Sequence, residues 1–199
     1  MQQESLGATG PAGSLPIVTE VQDRDLLTMV TSGDRRAFDE LMRRHEDRVF
    51  GICLRIMRSR EAALDAVQDT FLTVFRKADQ FRGDSAFSTW VYRIAVNTCY
   101  DQIRKSKRRP SDPLPESHDP VDPSAEEAIA AVELRPDLVA ALAQIPADFR
   151  AAIVLVDVEG LSLTEASSIL EVAEGTIKSR LHRGRHRLAE ILGNPSEWG

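Results

Sequence analysis

The segment from residue 178 to residue 187 has residue types that could bind double-stranded DNA. It contains five Lys or Arg residues, two His residues and Ser179. Ile177, Leu181 and Gly184 recur at helical spacing, so a helix here would bury one face and leave the basic residues on the others. Lys and Arg neutralise phosphates, and Ser, His and Arg can hydrogen-bond base edges in the major groove. A solvated basic face without a ligand is the alternative interpretation.

A short element directly before this segment favours the DNA-binding interpretation. Ser162 is followed three residues later by Glu165, which is the spacing of an N-terminal capping box, and Gly160 suits the end of a preceding helix. The pattern predicts a helix over 162–170, a short turn, and a longer helix over about 173–192. This spacing is typical of a helix-turn-helix, whose second helix enters the major groove.

A second cluster combines aromatic, amide and basic side chains. Its members are Phe81, Phe87, Trp90, Tyr92, Arg93 and Asn97, followed by five Lys or Arg residues among positions 104–109. Aromatic rings can stack on unpaired bases, Asn can hydrogen-bond a base edge, and clustered cations neutralise phosphates. Packing of the aromatics in a helical core is the alternative. A Gly-Asp-Ser loop within 81–88 favours a pocket for single-stranded nucleic acid, and Ser88 is a candidate cap for the following helix.

A third surface is acidic and polar and therefore unsuited to phosphate. The spacing predicts a helix over 61–78, with an apolar stripe formed by Leu64, Val67, Phe71, Val74, Phe75 and Ala78. Asp65, Gln68, Asp69 and Thr73 lie on another face of that helix. This face fits either a protein partner or ordinary solvation, and the pattern alone does not separate the two.

Nothing in the sequence indicates catalysis, a cofactor or a metal. His182 and His186 have i, i+4 spacing, but arginines surround them and no nearby Cys or carboxylate completes a zinc site. There is no phosphate-cradling Gly loop, nucleophile elbow or acid/base carboxylate pair. The protein is therefore not expected to be an enzyme or to act on a small-molecule substrate. Cys53 and Cys99 lack CxxC spacing and fall in helical patterns, which favours buried thiols over a disulfide.

These clusters lie on a chain that divides into helical and non-helical segments. Residues 1–22 are rich in Gly, Pro, Ser and Gln and are interpreted as a tail, whereas 23–109 are helical in pattern almost throughout. Five of the ten prolines fall in 110–123, interleaved with acidic residues, so 110–136 is predicted to be a flexible linker. Helical patterning then covers 137–199. The predicted fold is all-α, with two small helical domains joined by this acidic, Pro-rich linker.

The charge differs from segment to segment along this division, which the net charge alone does not show. The chain of 199 residues has a formal net charge of −6, which alone would argue against nucleic acid. Residues 34–109 are nevertheless net +6, and residues 110–148 are net −8. The longest apolar run, 151–156, is far too short to span a membrane, and no basic residue precedes Arg24 to mark a secretory or transit signal. A cytoplasmic protein without direct membrane insertion is expected.

Several motifs resemble those of the extracytoplasmic-function (ECF) sigma factors of bacterial RNA polymerase. The segments 25–38 and 66–71 look like the opening and the polymerase-binding helix of sigma region two, and 81–97 is similar to its promoter-melting and −10-reading part. Residues 160–181 resemble the region-four motif that reads the −35 element. The family often has Gly where Glu171 stands, and a left-handed Glu there would cost about 1–2 kcal/mol.

The resemblance implies a role for each cluster. The implied −10 contacts are Phe81, Asp84, Ser85, Phe87, Trp90, Tyr92, Arg93 and Asn97. The implied −35 contacts are Lys178, Ser179, His182 and Arg183 near the bases, with Arg180 and Arg185 nearer phosphate. Asp65, Gln68 and Asp69 would bind the clamp helices of the largest core polymerase subunit. Residues 81–87 with Asn97 would capture a flipped base, while Trp90 and Tyr92 hold the strands apart.

The same resemblance implies partners and leaves two alternatives. A monomer is expected that binds core RNA polymerase and promoter DNA and is controlled by an anti-sigma factor, which could hold it at the inner face of the membrane. A conventional dimeric helix-turn-helix regulator acting without polymerase is the first alternative, although it requires a palindromic site and a dimerisation helix. The second alternative is an adaptor whose basic face binds an acidic protein; salt-dependent DNA binding would separate it from the others.

Overall fold

The structure is a computed structural model that describes residues 21–108 and 136–193. Most of the predicted tail and nearly all of the predicted linker therefore lie outside the described residues. The exceptions are Val21, Gln22 and Pro136. The carbonyl oxygen of Val21 accepts a hydrogen bond from Arg44 at 2.7 Å, so the last residues assigned to the tail contact the folded domain.

The first domain is a bundle of helices. It comprises α1 (Asp23–Thr31), α2 (Arg35–Met57), α3 (Arg60–Arg76), a short 3₁₀ turn (Ala78–Gln80) and α4 (Phe87–Arg108). Asp34 and Ser59 cap α2 and α3, because each side chain accepts a hydrogen bond from a free backbone N–H of the first turn. Helices α2, α3 and α4 pack against one another, so the second cluster and the acidic face lie on the same domain.

The core of this domain confirms one sequence prediction and corrects two others. Cys53 and Cys99 are free, fully buried thiols, as predicted. Leu64 and Phe75 were assigned to the packing stripe of α3, but they are 45% and 51% exposed. Ser88 does not cap α4, because that helix already begins at Phe87.

The second domain contains the predicted helix-turn-helix. Its elements are α5 (Pro136–Ala143), α6 (Ala147–Ile153), a π-helical turn (Val154–Val158), α7 (Leu163–Leu170) and α8 (Glu174–Leu192). Pro136 begins α5, where its missing N–H costs nothing. Gly184 lets α8 approach α6 closely, since a Cβ there would lie 2.7 Å from Ile153 Cδ1.

The residues that begin and end the helices around the turn of the helix-turn-helix are those that the sequence predicts. Ser162 and Glu165 form both hydrogen bonds of the capping box at the start of α7. Gly160 is left-handed with φ +69°, which suits the end of the preceding helix. Glu171 ends α7 in the left-handed region at φ 53°, so this position tolerates a non-glycine residue in the backbone conformation expected of the turn.

The two domains are in direct contact. Helix α4 of the first domain packs on α7 of the second, and α2 contacts α5, α6 and the π-helical turn. The described parts of the chain contain only helices and connecting turns, which confirms the all-α class with two helical domains. Within residues 21–108 and 136–193, no helix has the length and apolar character needed to cross a membrane.

Candidate nucleic-acid interface

Helix α8 presents four side chains toward solvent on one face. Lys178 and His182 are one turn apart, and Ser179 and Arg183 follow the same spacing beside them; all four are exposed. Ile177 and Leu181 bury the opposite face against the domain core. Within the described residues none of the four exposed side chains has an ion pair or hydrogen bond, so their donors are available to a ligand. The geometry fits insertion of α8 into a major groove.

The two remaining −35 candidates are engaged within the domain. Arg180 Nη2 lies 3.3 Å from Asp148 Oδ2 on α6. Arg185 makes two hydrogen bonds to Asp157 in the π-helical turn, at 2.6 Å and 3.1 Å, and the hydrogen bond with Asp157 raises the pKa of Arg185. Both pairs join α8 to other elements of the second domain.

Three aromatic residues of the second cluster, Phe81, Phe87 and Trp90, form a contiguous group around the loop before α4. The ring centroids of Phe81 and Trp90 are 5.2 Å apart, and Phe87 lies 6.1 Å and 5.9 Å from them. Phe81 and Trp90 are half-buried, so part of each ring faces solvent. Phe87 and Tyr92 are buried, at 4% and 1% exposure, and belong to the core in this arrangement. Of these four aromatic side chains, Phe81 and Trp90 are therefore accessible, and Phe87 and Tyr92 are packed in the core.

A cavity of about 540 Å³ opens beside this aromatic group. Its lining includes Phe81, Ser85 and Phe87 together with Asp23, Arg24, Arg44 and His45. His45 Nε2 is 2.7 Å from Asp23 Oδ2, and its ring packs edge-on against Phe87 at 5.0 Å. The volume is within the range of small-ligand sites, and the lining offers apolar faces for stacking together with polar groups for a base edge.

Asn97 does not line this cavity. It is exposed on α4, ten residues after Phe87, which corresponds to about 15 Å along the helix axis. A single pocket built from the loop and Asn97 is therefore not what the structure shows, and Asn97 occupies a separate position on the same surface. Arg93 is half-buried between them, and its Nη2 donates to Ser168 Oγ of α7 at 2.9 Å. Asp84 is exposed at the tip of the loop.

The acidic face of α3 also carries apolar side chains that the sequence reading missed. Asp65, Gln68 and Asp69 are exposed, as required of a binding surface. Leu64 and Leu72 lie about one turn before and one turn after Gln68, at 45% and 44% exposure. The i, i+4, i+8 spacing of 64, 68 and 72 was the available signal. Exposed apolar residues rimmed by polar ones are typical of protein–protein contact sites.

Comparison with known families agrees with this arrangement. The model for Sigma-70 region 2 matches residues 41–109, and the model for Sigma-70, region 4 matches residues 135–188. The class of protein is therefore a sigma-70-type factor. The ECF RNA polymerase sigma factor SigM of Mycobacterium tuberculosis (strain ATCC 25618 / H37Rv) is 40% identical over 188 residues, covering 92% of this chain and 93% of SigM.

A second relative and two solved structures support the same assignment to the sigma-70-type factors. RNA polymerase sigma-H factor of Pseudomonas aeruginosa (strain PAO1) is 33% identical over 186 residues, covering 88% of this chain and 96% of that factor. CnrH, solved in complex with the cytosolic domain of CnrY, aligns with a TM-score of 0.65 and 27% identity over 86% of this chain and 97% of CnrH. RpoE of Bartonella quintana, solved with the anti-sigma factor NepR, aligns with a TM-score of 0.61 and 28% identity over 78% and 96% of the two chains.

The chain belongs to the ECF RNA polymerase sigma factors. This confirms the resemblance found in the sequence motifs. The family consists of transcription initiation factors and not of enzymes. The region 2 match falls on the first domain and the region 4 match on the second.

Proposed function

We propose that this sigma factor binds core RNA polymerase and directs initiation at promoters that it recognises through both a −10 and a −35 element. One observation carries the proposal: two chemically different nucleic-acid surfaces lie on separate helical domains of one chain. The first surface has half-exposed aromatics beside a cavity, and the second has an exposed basic helix face. An asymmetric, bipartite DNA site requires this combination. The proposed domain bounds remain 23–109 and 137–199, with 110–136 as linker.

The second domain is suited to duplex DNA. Lys178, Ser179, His182 and Arg183 would face base edges of the −35 element as α8 enters the major groove. Arg180 and Arg185 act mainly through their ion pairs with Asp148 and Asp157, because a docked helix must hold a fixed angle to read successive base pairs. In this proposal they contribute to −35 affinity by positioning α8.

The first domain is suited to separated strands. Phe81 offers an accessible face beside the cavity, where a flipped base of the −10 non-template strand could stack. Flipping costs a few kcal/mol, and stacking returns about 1–3 kcal/mol per base. His45 and Asp23 would meet the polar edge of that base, while Asn97 would contact a neighbouring nucleotide about 15 Å along α4. Trp90 would hold the strands apart.

The exposed face of α3 is the proposed contact with the clamp helices of the largest polymerase subunit. Asp65, Gln68 and Asp69 supply charge and hydrogen bonds, and Leu64 and Leu72 supply apolar area. The likeness to sigma factors solved with anti-sigma factors supports an anti-sigma partner for this chain. We place the protein in the cytoplasm as a monomer before it meets polymerase, either free or held at the inner membrane face by that partner.

The test is formation of a complex between the full chain and purified core polymerase. We expect co-elution at a one-to-one ratio in size-exclusion chromatography, and promoter retention that requires both components. A conventional helix-turn-helix regulator would bind its operator alone, as a dimer, with no change when core is added. An adaptor would bind core or another acidic protein without conferring salt-dependent promoter binding. Either of these results would contradict the proposal.

A further inference from the structure

The exposed face of α8 that is assigned to base edges begins with an acidic residue. Lys178 and His182 are one turn apart on this face, and the residue one turn before Lys178 is Glu174. Gly175 stands in the same relation to Ser179. Both Glu174 and Gly175 are exposed in the first turn of α8. The face that would enter the major groove therefore starts with a carboxylate and with a residue that has no side chain.

A hydrogen bond from α7 orients the Glu174 carboxylate. Thr164 Oγ1 donates to Glu174 Oε1 at 2.7 Å, and both side chains are exposed. Because Thr164 lies in the first turn of α7, this bond joins the starts of the two helices of the helix-turn-helix. Among the described residues Glu174 has no ion pair, although Lys178 follows one turn later on α8. Each carboxylate oxygen has two lone pairs, so Glu174 can accept further hydrogen bonds while Thr164 keeps it oriented.

Packing inside the domain does not require a glycine at position 175. A Cβ built on Gly175 would have no heavy atom within 4 Å apart from its chain neighbours and the backbone of its own helix. Glycine within a helix is less stable than alanine, and it is typical of places where a ligand comes close to the backbone. On a face that meets duplex DNA, Gly175 allows the duplex to approach the start of α8, where Glu174 can reach a base edge.

A carboxylate on this face is unsuited to phosphate but suited to one kind of base edge. An ionised carboxylate accepts hydrogen bonds and donates none, and its charge has the same sign as that of the DNA backbone. The donors in the major groove are the N4 amino group of cytosine and the N6 amino group of adenine. The adenine amino group lies beside the N7 acceptor, which repels a carboxylate, whereas cytosine presents its amino group alone. The chemistry of Glu174 therefore fits cytosine.

From these observations we propose that Glu174 is a specificity-determining residue of −35 recognition, which accepts a hydrogen bond from N4 of a cytosine in the major groove. Thr164 is the positioning residue that orients the carboxylate. The inference deepens the proposed function and rests on it, because it adds a base contact to the −35 face of α8. The contact selects in two ways, since it stabilises the complex with cytosine and disfavours guanine and thymine, which present only acceptors there.

Selection from a template library tests the base contact. The full chain with core polymerase would be mixed with a promoter that it transcribes, in which the −35 element is randomised, and the bound templates would be sequenced. The wild-type protein should enrich cytosine at one base pair of the element. Glu174→Gln should lower that enrichment about tenfold and shift the preference toward adenine, because an amide matches the N6 and N7 edge of adenine. Preferences at the other −35 positions should not change.

Two further variants separate base recognition from charge. Glu171→Gln is the matched control, because Glu171 is an exposed carboxylate at the turn that precedes α8, and its loss changes the net charge equally. It should strengthen binding to all sequences and leave the cytosine preference intact. Glu174→Asp keeps the negative charge that stabilises the first turn of a helix, but it withdraws the carboxylate by one methylene. It should reduce the cytosine preference without lowering the thermal stability of the chain.

Substitutions of Thr164 test its positioning role. Thr164→Val removes the hydroxyl at similar shape, so it should lower the cytosine preference at the same base pair by a smaller factor than Glu174→Gln. Thr164→Ser retains the hydroxyl and should restore the preference. If Thr164 only supported the fold of the helix-turn-helix, its loss would weaken recognition at all −35 positions together, which would contradict the assignment.

The outcomes distinguish a failure of this inference from a failure of the proposed function. A −35 motif whose base preferences are the same in Glu174→Gln and in the wild-type protein would overturn the role of Glu174 and leave the proposed function standing. An equal loss of the cytosine preference in Glu171→Gln would do the same, because it would show an effect of charge alone. A wild-type protein that enriches no −35 sequence in the presence of core would overturn both.

Discussion

Leu72→Asp is expected to weaken binding to core RNA polymerase by about 30-fold or more. Leu72 is 44% exposed on α3, one turn from Gln68, and nothing in the described residues covers its side chain fully. If this face docks on polymerase, Leu72 becomes a buried apolar anchor, and such anchors contribute about 2 kcal/mol or more when removed. Aspartate adds a further cost because it places an unpaired charge in the interface.

Fluorescence anisotropy of the labelled chain titrated with core would measure this loss. Met29→Asp is the matched control, since Met29 is 42% exposed on α1 and lies outside the proposed interface. Both substitutions are at the surface, so the free energy of unfolding should change little. Equal loss of affinity from the two variants, or full affinity in Leu72→Asp, would remove α3 as the polymerase-binding helix.

The second large expected effect is that substitutions of Asn97 and Arg183 impair different steps of promoter recognition. Asn97→Ala should slow promoter opening and relax discrimination at one −10 position, and it should leave −35 duplex affinity unchanged. Arg183→Ala should reduce −35 duplex affinity by about 10- to 100-fold, the equivalent of about 1–3 kcal/mol for a base contact, and leave opening of a pre-melted −10 template intact. The reason is that the two side chains are exposed on different domains.

Each variant is the other's control when both are assayed on duplex and pre-melted templates. Arg183→Lys separates the effect of charge from that of base recognition, because it keeps the charge and loses the planar, bidentate donor geometry. It should therefore retain non-specific DNA affinity and lose sequence preference. Equal losses of duplex affinity in Asn97→Ala and Arg183→Ala would contradict two separate reading surfaces.

Local chemistry made much of this fold predictable. Ser162 with Glu165 defined the start of α7, and Gly160 marked the end of the preceding helix, since both signals depend on a few neighbouring residues. Helical periodicity likewise identified Ile177 and Leu181 as the packed face of α8. These features were accessible because each depends on contacts only a few positions apart in the sequence.

Features that depend on distant residues were not predictable in the same way. Periodicity grouped Leu64 and Phe75 with the buried residues of α3, but it does not say how much of that stripe the neighbouring helices cover. Arg180 and Arg185 pair with carboxylates 32 and 28 residues away, and a local pattern does not predict such partners. The hydrogen bonds of Glu159 with Arg48 and Arg55 join positions 111 and 104 residues apart, and no local pattern in the sequence marks that pairing.

The most direct test of the central claim is in vitro transcription by core polymerase on a genomic promoter library, with and without this protein, followed by mapping of the start sites. We expect start sites that depend on the protein and share two unlike motifs at a fixed spacing, one centred near −10 and one near −35. A failure to direct any initiation, or start sites that share only a palindromic motif and no −10 or −35 element, would contradict this expectation.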